Sequence, residues 1–334
     1  MIAGLPRRLS FCGRSHWISL TNASDDYMSG SVVALAGGVG GARLCQGLSQ
    51  CLPAHQLTVV VNTGDDFEHW GLQICPDLDT VMYTLASLND TAQGWGVRGD
   101  TRHLMQALAR LGGEEWFALG DQDVATHLMR TTLLKTHSLS AVTAQLCQRL
   151  GIQVTVVPMS DQPVRTQVET DQGRLAFQDY FVRRACQPVF KSLVFSGIEV
   201  ARPSPGFLAA LSDPELSAVV VCPSNPLLSI EPILALPSVR AQLRALSVPV
   251  VAVSPFIGGQ AVKGPAAKMF KELGLPATAS GLVEYYQGLL DGVVIDKADG
   301  PPSGVKVCST DILMRDAGDQ ARLARELLTF VETL

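Results

Sequence analysis

The sequence predicts an α/β fold: a Rossmann-like, doubly wound, mainly parallel sheet with a helical insertion. Three observations lead there. Short apolar runs rich in β-branched residues recur along the chain, the pattern of strands covered on both faces. Several of these runs end in loops of glycine, acid or proline, where open α/β sheets place their ligands. Between roughly residues 77 and 150 helical patterns follow one another without a strand, which marks an insertion. From residue 28 to 334 the chain reads as a single α/β domain.

The first strand is Val32–Ala36, and Gly37, Gly38, Gly40 and Gly41 follow at once. A helix is expected from about Ala42, with Leu44, Gly47, Leu48 and Cys51 three or four apart. Strand, glycine turn and helix together make an anion site. Glycines let the backbone approach a phosphate, and a helix N-terminus presents free N–H groups. Arg43 adds a fork that grips phosphate bidentately. The dinucleotide fingerprint is absent, because Arg43 stands where its third glycine belongs, and there is no Walker lysine. A tight turn would need fewer glycines.

The second strand, Leu57–Asn62, runs into Thr63-Gly64-Asp65-Asp66. Gly-Asp pairs occur in solvated turns, but two acids at a strand end also suit a hard cation or a ribose. Cys75-Pro76-Asp77-Leu78-Asp79 opens the next helix, with proline and acids in its first turn. Capping accounts for one of Asp77 and Asp79. A second acid pair so close to the first points to a shared site of oxygen ligands, the set that Mg²⁺ takes together with substrate phosphates.

Trp95–Asp100 is a glycine-rich loop, and Arg102–Leu111 and Ser140–Leu150 read as helices. Another helix starts at Gly120-Asp121-Gln122-Asp123 and carries His127 and Arg130 on one face. A lone histidine there is more often structural than catalytic. Ile152–Pro158 is a strand, Asp171-Gln172-Gly173 a hairpin turn, and Phe177–Phe181 an aromatic stretch that serves core packing or ring stacking. Ser217–Cys222 is a strand followed by Pro223-Ser224-Asn225-Pro226 and Ser229. Two prolines fix this Ser-Asn pair in a posture suited to reading a ligand. Beyond the strand Pro249–Ser254, Lys263-Gly264-Pro265 and Lys268 form a second phosphate candidate at a helix start. Asp291–Asp296 is a last strand, and Ala317–Leu334 an amphipathic helix.

Bulk properties fit this reading. The 334 residues are 47% hydrophobic and only 17% charged, compatible with a well-buried enzyme and with a homodimer. A net charge of −5 gives no argument for nucleic acid or an anionic membrane as partner. No apolar run approaches membrane-spanning length. Eight scattered cysteines without a C-x-x-C suggest reduced thiols and a cytoplasmic protein. Residues 1–27 are arginine- and serine-rich, lack a signal-peptide core and read as a flexible extension, with Met28 a second candidate start.

With these stretches in order, the chain resembles the 2-phospho-L-lactate transferases of coenzyme F420 biosynthesis, including bacterial members that use phosphoenolpyruvate. The matching stretches are Gly37–Arg43, Val59–Asp66, Cys75–Tyr83, Gly120–Arg130, Pro158–Asp161, Pro223–Ile233 and Ser254–Lys268. The resemblance implies a transferase that moves a phospho-acid from its guanosine-diphosphate adduct to the ribityl hydroxyl of the deazaflavin Fo. GMP leaves, and coenzyme F420-0 or its dehydro form results. It also implies Mg²⁺ and makes a dimer plausible. On this reading Asp65 and Asp79 hold the metal and are the catalytic pair, with Asp66 and Asp77 as runners-up. Gly37, Gly38, Gly40, Gly41 and Arg43 hold the diphosphate. Asp121, His127, Arg130, Ser224, Asn225, Ser229, Lys263, Gly264 and Lys268 complete the substrate set. Family members commonly read Gly-Asp-Arg-Asp where this chain has Gln122, which leaves the donor acid open among phospholactate, phosphoenolpyruvate and 3-phosphoglycerate. The alternatives are a guanine-nucleotide-binding sensor without transfer chemistry and, against the missing glycine, an NAD-dependent oxidoreductase.

Overall fold

A computed structural model describes residues 29–334; the expected N-terminal extension, 1–27, lies outside them. The chain opens with β1 (Ser31–Ala36), α1 (Gly38–Cys51) and β2 (Leu57–Val61), then a short hairpin, β3 (Phe67–His69) and β4 (Leu72–Ile74). Four helices follow: α2 (Pro76–Leu85), α3 (His103–Arg110), α4 (Asp121–Leu133) and α5 (Leu139–Arg149). After β5 (Thr155–Pro158) come β6 (Arg165–Thr170), β7 (Gly173–Ala176) and β8 (Phe190–Ser196). The second half runs α6 (Pro205–Leu211), β9 (Leu216–Val221), α7 (Glu231–Leu234), α8 (Val239–Ala245), β10 (Val250–Val253), β11 (Phe256–Ile257) and β12 (Gln260–Ala261). It closes with α9 (Ala266–Glu272), α10 (Ala279–Tyr286), β13 (Gly292–Asp296), β14 (Lys306–Thr310) and α11 (Ala317–Val331).

Seven strands form one sheet in the order β14-β13-β10-β9-β1-β2-β5, and every neighbouring pair is parallel. From β1 the chain winds outward through β2 to β5, then returns to the other side of β1 and winds through β9 to β14. The reversal lies between β1 and β9, the topological switch point where doubly wound sheets bind ligands.

The unbroken apolar runs are explained by two cores. Val33 and Leu35 of β1 face one, with Val219, Val221 and Phe270; Val32, Ala34 and Ala36 face the other, with Leu44, Leu48 and Leu327. With both faces covered, neither set of alternating positions tolerates polarity. Truncating fully buried Leu35 to alanine would cost about 2–5 kcal/mol.

The hairpin at Asp171–Gly173 forms as expected, but β6 and β7 join β8 in a separate antiparallel sheet. Strand β14 escapes sequence reading: it is an edge strand, Lys-Val-Cys-Ser-Thr, with only Thr310 buried.

Candidate functional site

The loops after β1 and β9 meet over the switch point, and the helix begins earlier than its apolar spacing suggests. Gly38, Gly40 and Gly41 belong to the first turn of α1, which starts at Gly38 rather than near Ala42. The reason is close approach. A Cβ on Gly40 would stand 2.2 Å from the Pro223 carbonyl oxygen, and one on Gly41 would stand 2.4 Å from Ser224 Oγ. Gly38 itself has φ +60°, a conformation that favours glycine. The Gly37 N–H donates to Ser224 Oγ at 3.1 Å. Asn225 accepts from the N–H groups of Leu227 and Leu228 at 3.0 and 3.2 Å, and its Nδ2 is left without a partner. Gly37, Gly38, Gly40, Ser224, Asn225 and Ser229 all line a cleft of about 560 Å³.

Two cations enter this cleft with no acid beside them. Arg43 Nη1 donates to the Met314 carbonyl at 2.9 Å, and Lys263 Nζ to the Gln93 carbonyl at 2.9 Å. Neither has a carboxylate within ion-pairing distance among the described residues. Partial burial, and then the nearby Arg43, lower the pKa of Lys263. Two like charges left unpaired beside a helix N-terminus make a place for an anion. Gly264 lines the same wall. Lys268 does not: it is spent on Glu272 at 2.7 Å and the Pro188 carbonyl at 3.0 Å.

Opposite stands a buried group of acids. Asn62, at the end of β2, donates through Nδ2 to Asp77 Oδ2 at 2.9 Å and to Asp65 Oδ1 at 3.3 Å. Asp77 Oδ1 accepts from the Gly38 N–H at 2.7 Å, which ties the acids to the glycine turn. Asp65, Asp66 and Asp77 are at most 6% exposed. Burial first, then the charges of Asp77 and Asp66, raise Asp65 well above the usual carboxylate range. Burial pushes Asp66 up to about 7 and Asp77 up to about 6.

Asp79 faces a second group. Arg130 of α4, 1% exposed, makes a two-pronged ion pair with it, and His127 Nδ1 lies 3.5 Å from Asp79 Oδ2. His127 Nε2 is 3.4 Å from Asp123 Oδ1, which accepts from the Tyr83 hydroxyl at 2.8 Å. Burial opposes the charge on Asp123, but its contacts with His127, Tyr83 and Arg130 prevail and lower its pKa. Asp121 lies outside the cleft and caps α3, accepting from the N–H groups of His103 and Leu104 at 3.1 and 3.0 Å. Asp100 reciprocates by accepting from the N–H groups of Gln122 and Asp123, and the Gln122 side chain is exposed away from the cleft.

The sequence reading therefore placed most of the wall and missed some of its parts. Asn62 was signalled only as a polar residue closing an apolar strand. Asp123 was legible as the i−4 partner of His127. Trp116 and Phe117, which line the cleft beside Phe177 and Phe181, carried no local signal. Phe177 and Phe181 stack at 5.3 Å, 13° from parallel.

The donor set fits a hard divalent cation. Asp65 and Asp77 meet at Asn62 Nδ2; with Asp66 they are three buried carboxylates outside any ion pair among the described residues, although their oxygens do not all lie within 4.8 Å of one another, and Asp66 Oδ1 and Thr63 Oγ1 have no hydrogen-bond partner. All of these donors are oxygens. Among the described residues, Asp79, Asp123 and His127 form the group whose ligand atoms all lie within 4.8 Å of one another, and Arg130 pairs with its Asp79.

Comparison with known proteins places the chain in a family. The family described as 2-phospho-L-lactate transferase CofD matches residues 32–333. A phosphoenolpyruvate transferase of Streptomyces coelicolor is 43% identical over 314 residues, covering 90% of this chain and 98% of that protein. A 2-phospho-L-lactate transferase of Methanopyrus kandleri is 40% identical over 310 residues, covering 91% of this chain and 98% of that protein. Among solved structures, a UPF0052-family protein of Bacillus halodurans shares the fold, with a TM-score of 0.59 at 15% identity over 90% of this chain and 99% of that one. The chain belongs to the CofD transferase family.

Proposed function

We propose that this member of the CofD family transfers a phospho-acid, 2-phospho-L-lactate or phosphoenolpyruvate, from its guanosine-diphosphate adduct to the ribityl hydroxyl of Fo. GMP is released and coenzyme F420-0, or its dehydro form, is produced. One juxtaposition carries the reading: Arg43 and Lys263, cations outside any ion pair among the described residues, share the cleft with Asp65 and Asp77, buried acids outside any ion pair. A diphosphate between them, with a divalent cation, satisfies both sides.

Phosphoryl transfer is mostly positioning and charge stabilisation. The first turn of α1 and Arg43 hold the diphosphate, and Lys263 bears on the same anion from the far wall. Asp65 and Asp77 would hold Mg²⁺. Asp79, expected as the metal partner, pairs with Arg130 and has ligand atoms within 4.8 Å of those of Asp123 and His127. The bound ion would offset negative charge on the phosphate oxygens. The hydroxyl oxygen of Fo forms a new bond to the acid-bearing phosphorus, the bridging P–O bond breaks, and GMP departs with its electron pair. The hydroxyl proton passes to a buried carboxylate of the cleft wall, where Asp65 and Asp77 stand. Phe117, Phe177 and Phe181 offer the deazaflavin an aromatic wall.

Incubation with Fo, Mg²⁺ and each guanylylated acid, followed by mass spectrometry, tests this. A deazaflavin product with GMP from at least one adduct is expected. Nucleotide binding without product from any adduct would instead favour the sensor reading.

A further inference from the structure

Beyond the main cleft, on the far side of Asp65, lies a second cavity of about 470 Å³. The two share Asp65, Trp116, Phe177 and Gln178 as a common wall. Three guanidinium groups, Arg165, Arg183 and Arg184, line the annex together with the carboxylates of Asp65, Asp66, Glu68 and Asp179. Two of the guanidinium groups are occupied. Arg183 lies over the Trp116 ring at 4.5 Å and within 3.6 Å of Asp179; Arg184 donates to Asp179 at 3.0 Å and to Gln172 at 2.9 Å.

Arg165 is different. It donates only to the Val164 carbonyl, at 3.0 Å, and makes no ion pair among the described residues, although its charge bears on the buried Asp65 and Asp66. A guanidinium has five N–H donors in a planar fork, so most of its capacity is unspent. Beside it, Thr166 is 3% exposed and its hydroxyl has no partner. The Gln178 amide donates to the Asp65 carbonyl at 3.2 Å and holds the shared wall in place. Satisfied buried hydroxyls are the rule, so the Thr166 hydroxyl, which lies against Gly64 in the wall of the annex, has room for a further partner.

We propose that this annex binds the carboxylate of the acid carried by the donor nucleotide, with Arg165 as its fork and Thr166 as a further donor. The inference rests on the transferase reading, which places the transferred phosphoryl group next to Asp65. A three-carbon acid then has its carboxyl end within reach of the annex, while the nucleotide stays in the glycine cleft. A planar carboxylate matches the guanidinium fork, which lysine does not reproduce. Arg165 would thus make the enzyme require an acid on the donor, rather than any guanosine-diphosphate ester.

Binding of three probes to wild type, Arg165→Ala and Arg165→Lys decides it: GDP, the guanylylated phospholactate adduct, and the β-ethyl ester of GDP, which lacks the carboxylate. Wild type should prefer the carboxylate-bearing adduct over the ester by about tenfold to a hundredfold, the range of a charge-assisted contact. Arg165→Ala should abolish that preference while binding GDP within about twofold of wild type, and Arg165→Lys should recover only part of it. A preference that survives in Arg165→Ala, or its absence in wild type, overturns the proposal. Transfer assays on the same samples separate the two readings. Turnover with an unchanged preference in Arg165→Ala defeats the subsite alone. A preference lost with Arg165, but no turnover in wild type, defeats the transferase reading and leaves a carboxylate-binding site.

Discussion

The backbone N–H of Gly38 donates to Asp77 Oδ1 at 2.7 Å, so the glycine turn and the acid group are joined by one hydrogen bond. Asp77 also accepts from Asn62 at 2.9 Å. Removing its carboxyl group strands a part-buried backbone donor and a buried amide together. Asp77→Ala is therefore expected to lower unfolding free energy by about 1–3 kcal/mol, read by urea denaturation. Asp77→Asn keeps an acceptor toward Gly38 and should cost about 1 kcal/mol or less, while turnover falls by about a hundredfold or more through loss of negative charge. Near-wild-type turnover in Asp77→Asn would remove Asp77 from the metal set.

The buried acids also set a pH dependence. Asp66 at about 7 and Asp77 at about 6 bind protons more tightly in the folded chain than in the unfolded one. Unfolded carboxylates ionise near pH 4. Below that value both states are protonated and no penalty exists; as pH rises toward 7 the folded state must ionise buried groups, so stability is lost. Melting temperature without added metal should fall as pH rises from 5 to 7.5, and millimolar Mg²⁺ should raise it more at pH 7.5 than at 5. Differential scanning fluorimetry with EDTA and Mg²⁺ arms reads both. Equal Mg²⁺ stabilisation at the two pH values would contradict a carboxylate site.

Arg130 and Asp79 form a pair in which each is almost fully buried. Breaking one side leaves the other as an uncompensated buried charge. Arg130→Met should destabilise the protein by about 3–5 kcal/mol. The double variant Arg130→Met with Asp79→Leu should recover much of that loss in the same denaturation assay. An additive double variant would mean the pair is not coupled.

These results show where sequence reading succeeds and where it stops. Strand, glycine run and following helix announce the switch-point loop because Val32–Ala36 must be apolar on both faces and Gly40 and Gly41 must lack side chains. What the glycines are near is less legible. Gly40 and Gly41 make room for Pro223 and Ser224, nearly two hundred residues on, and no local pattern contains that contact. Asp77 and Asp79 read alike, as two acids in one helical turn, yet one meets Asn62 and the other Arg130. Their different partners come from strand order and from the placement of α4. The same holds for Arg165, which looks like any arginine on a strand until the fold leaves it outside the ion pairs that Arg183 and Arg184 make with Asp179.

The Gly40 contact yields the last expectation. A methyl group there would meet the Pro223 carbonyl oxygen at 2.2 Å, a backbone atom that yields only if the whole loop after β9 moves. That loop holds Ser224, which accepts from the Gly37 N–H, and Asn225, a cleft-lining residue whose amide nitrogen has no partner. Gly40→Ala should therefore destabilise by about 1–3 kcal/mol and also displace the groups that would meet the nucleotide. GDP affinity, measured by calorimetry, should fall by more than about tenfold at temperatures where the variant remains folded. Gly47→Ala supplies the control: it produces an equally close contact, 2.2 Å from the Gln320 carbonyl oxygen, but between α1 and α11, away from the cleft. It should destabilise comparably and spare GDP binding. Equal loss of GDP affinity in both variants would trace the effect to helix α1 as a whole rather than to the meeting of the two loops.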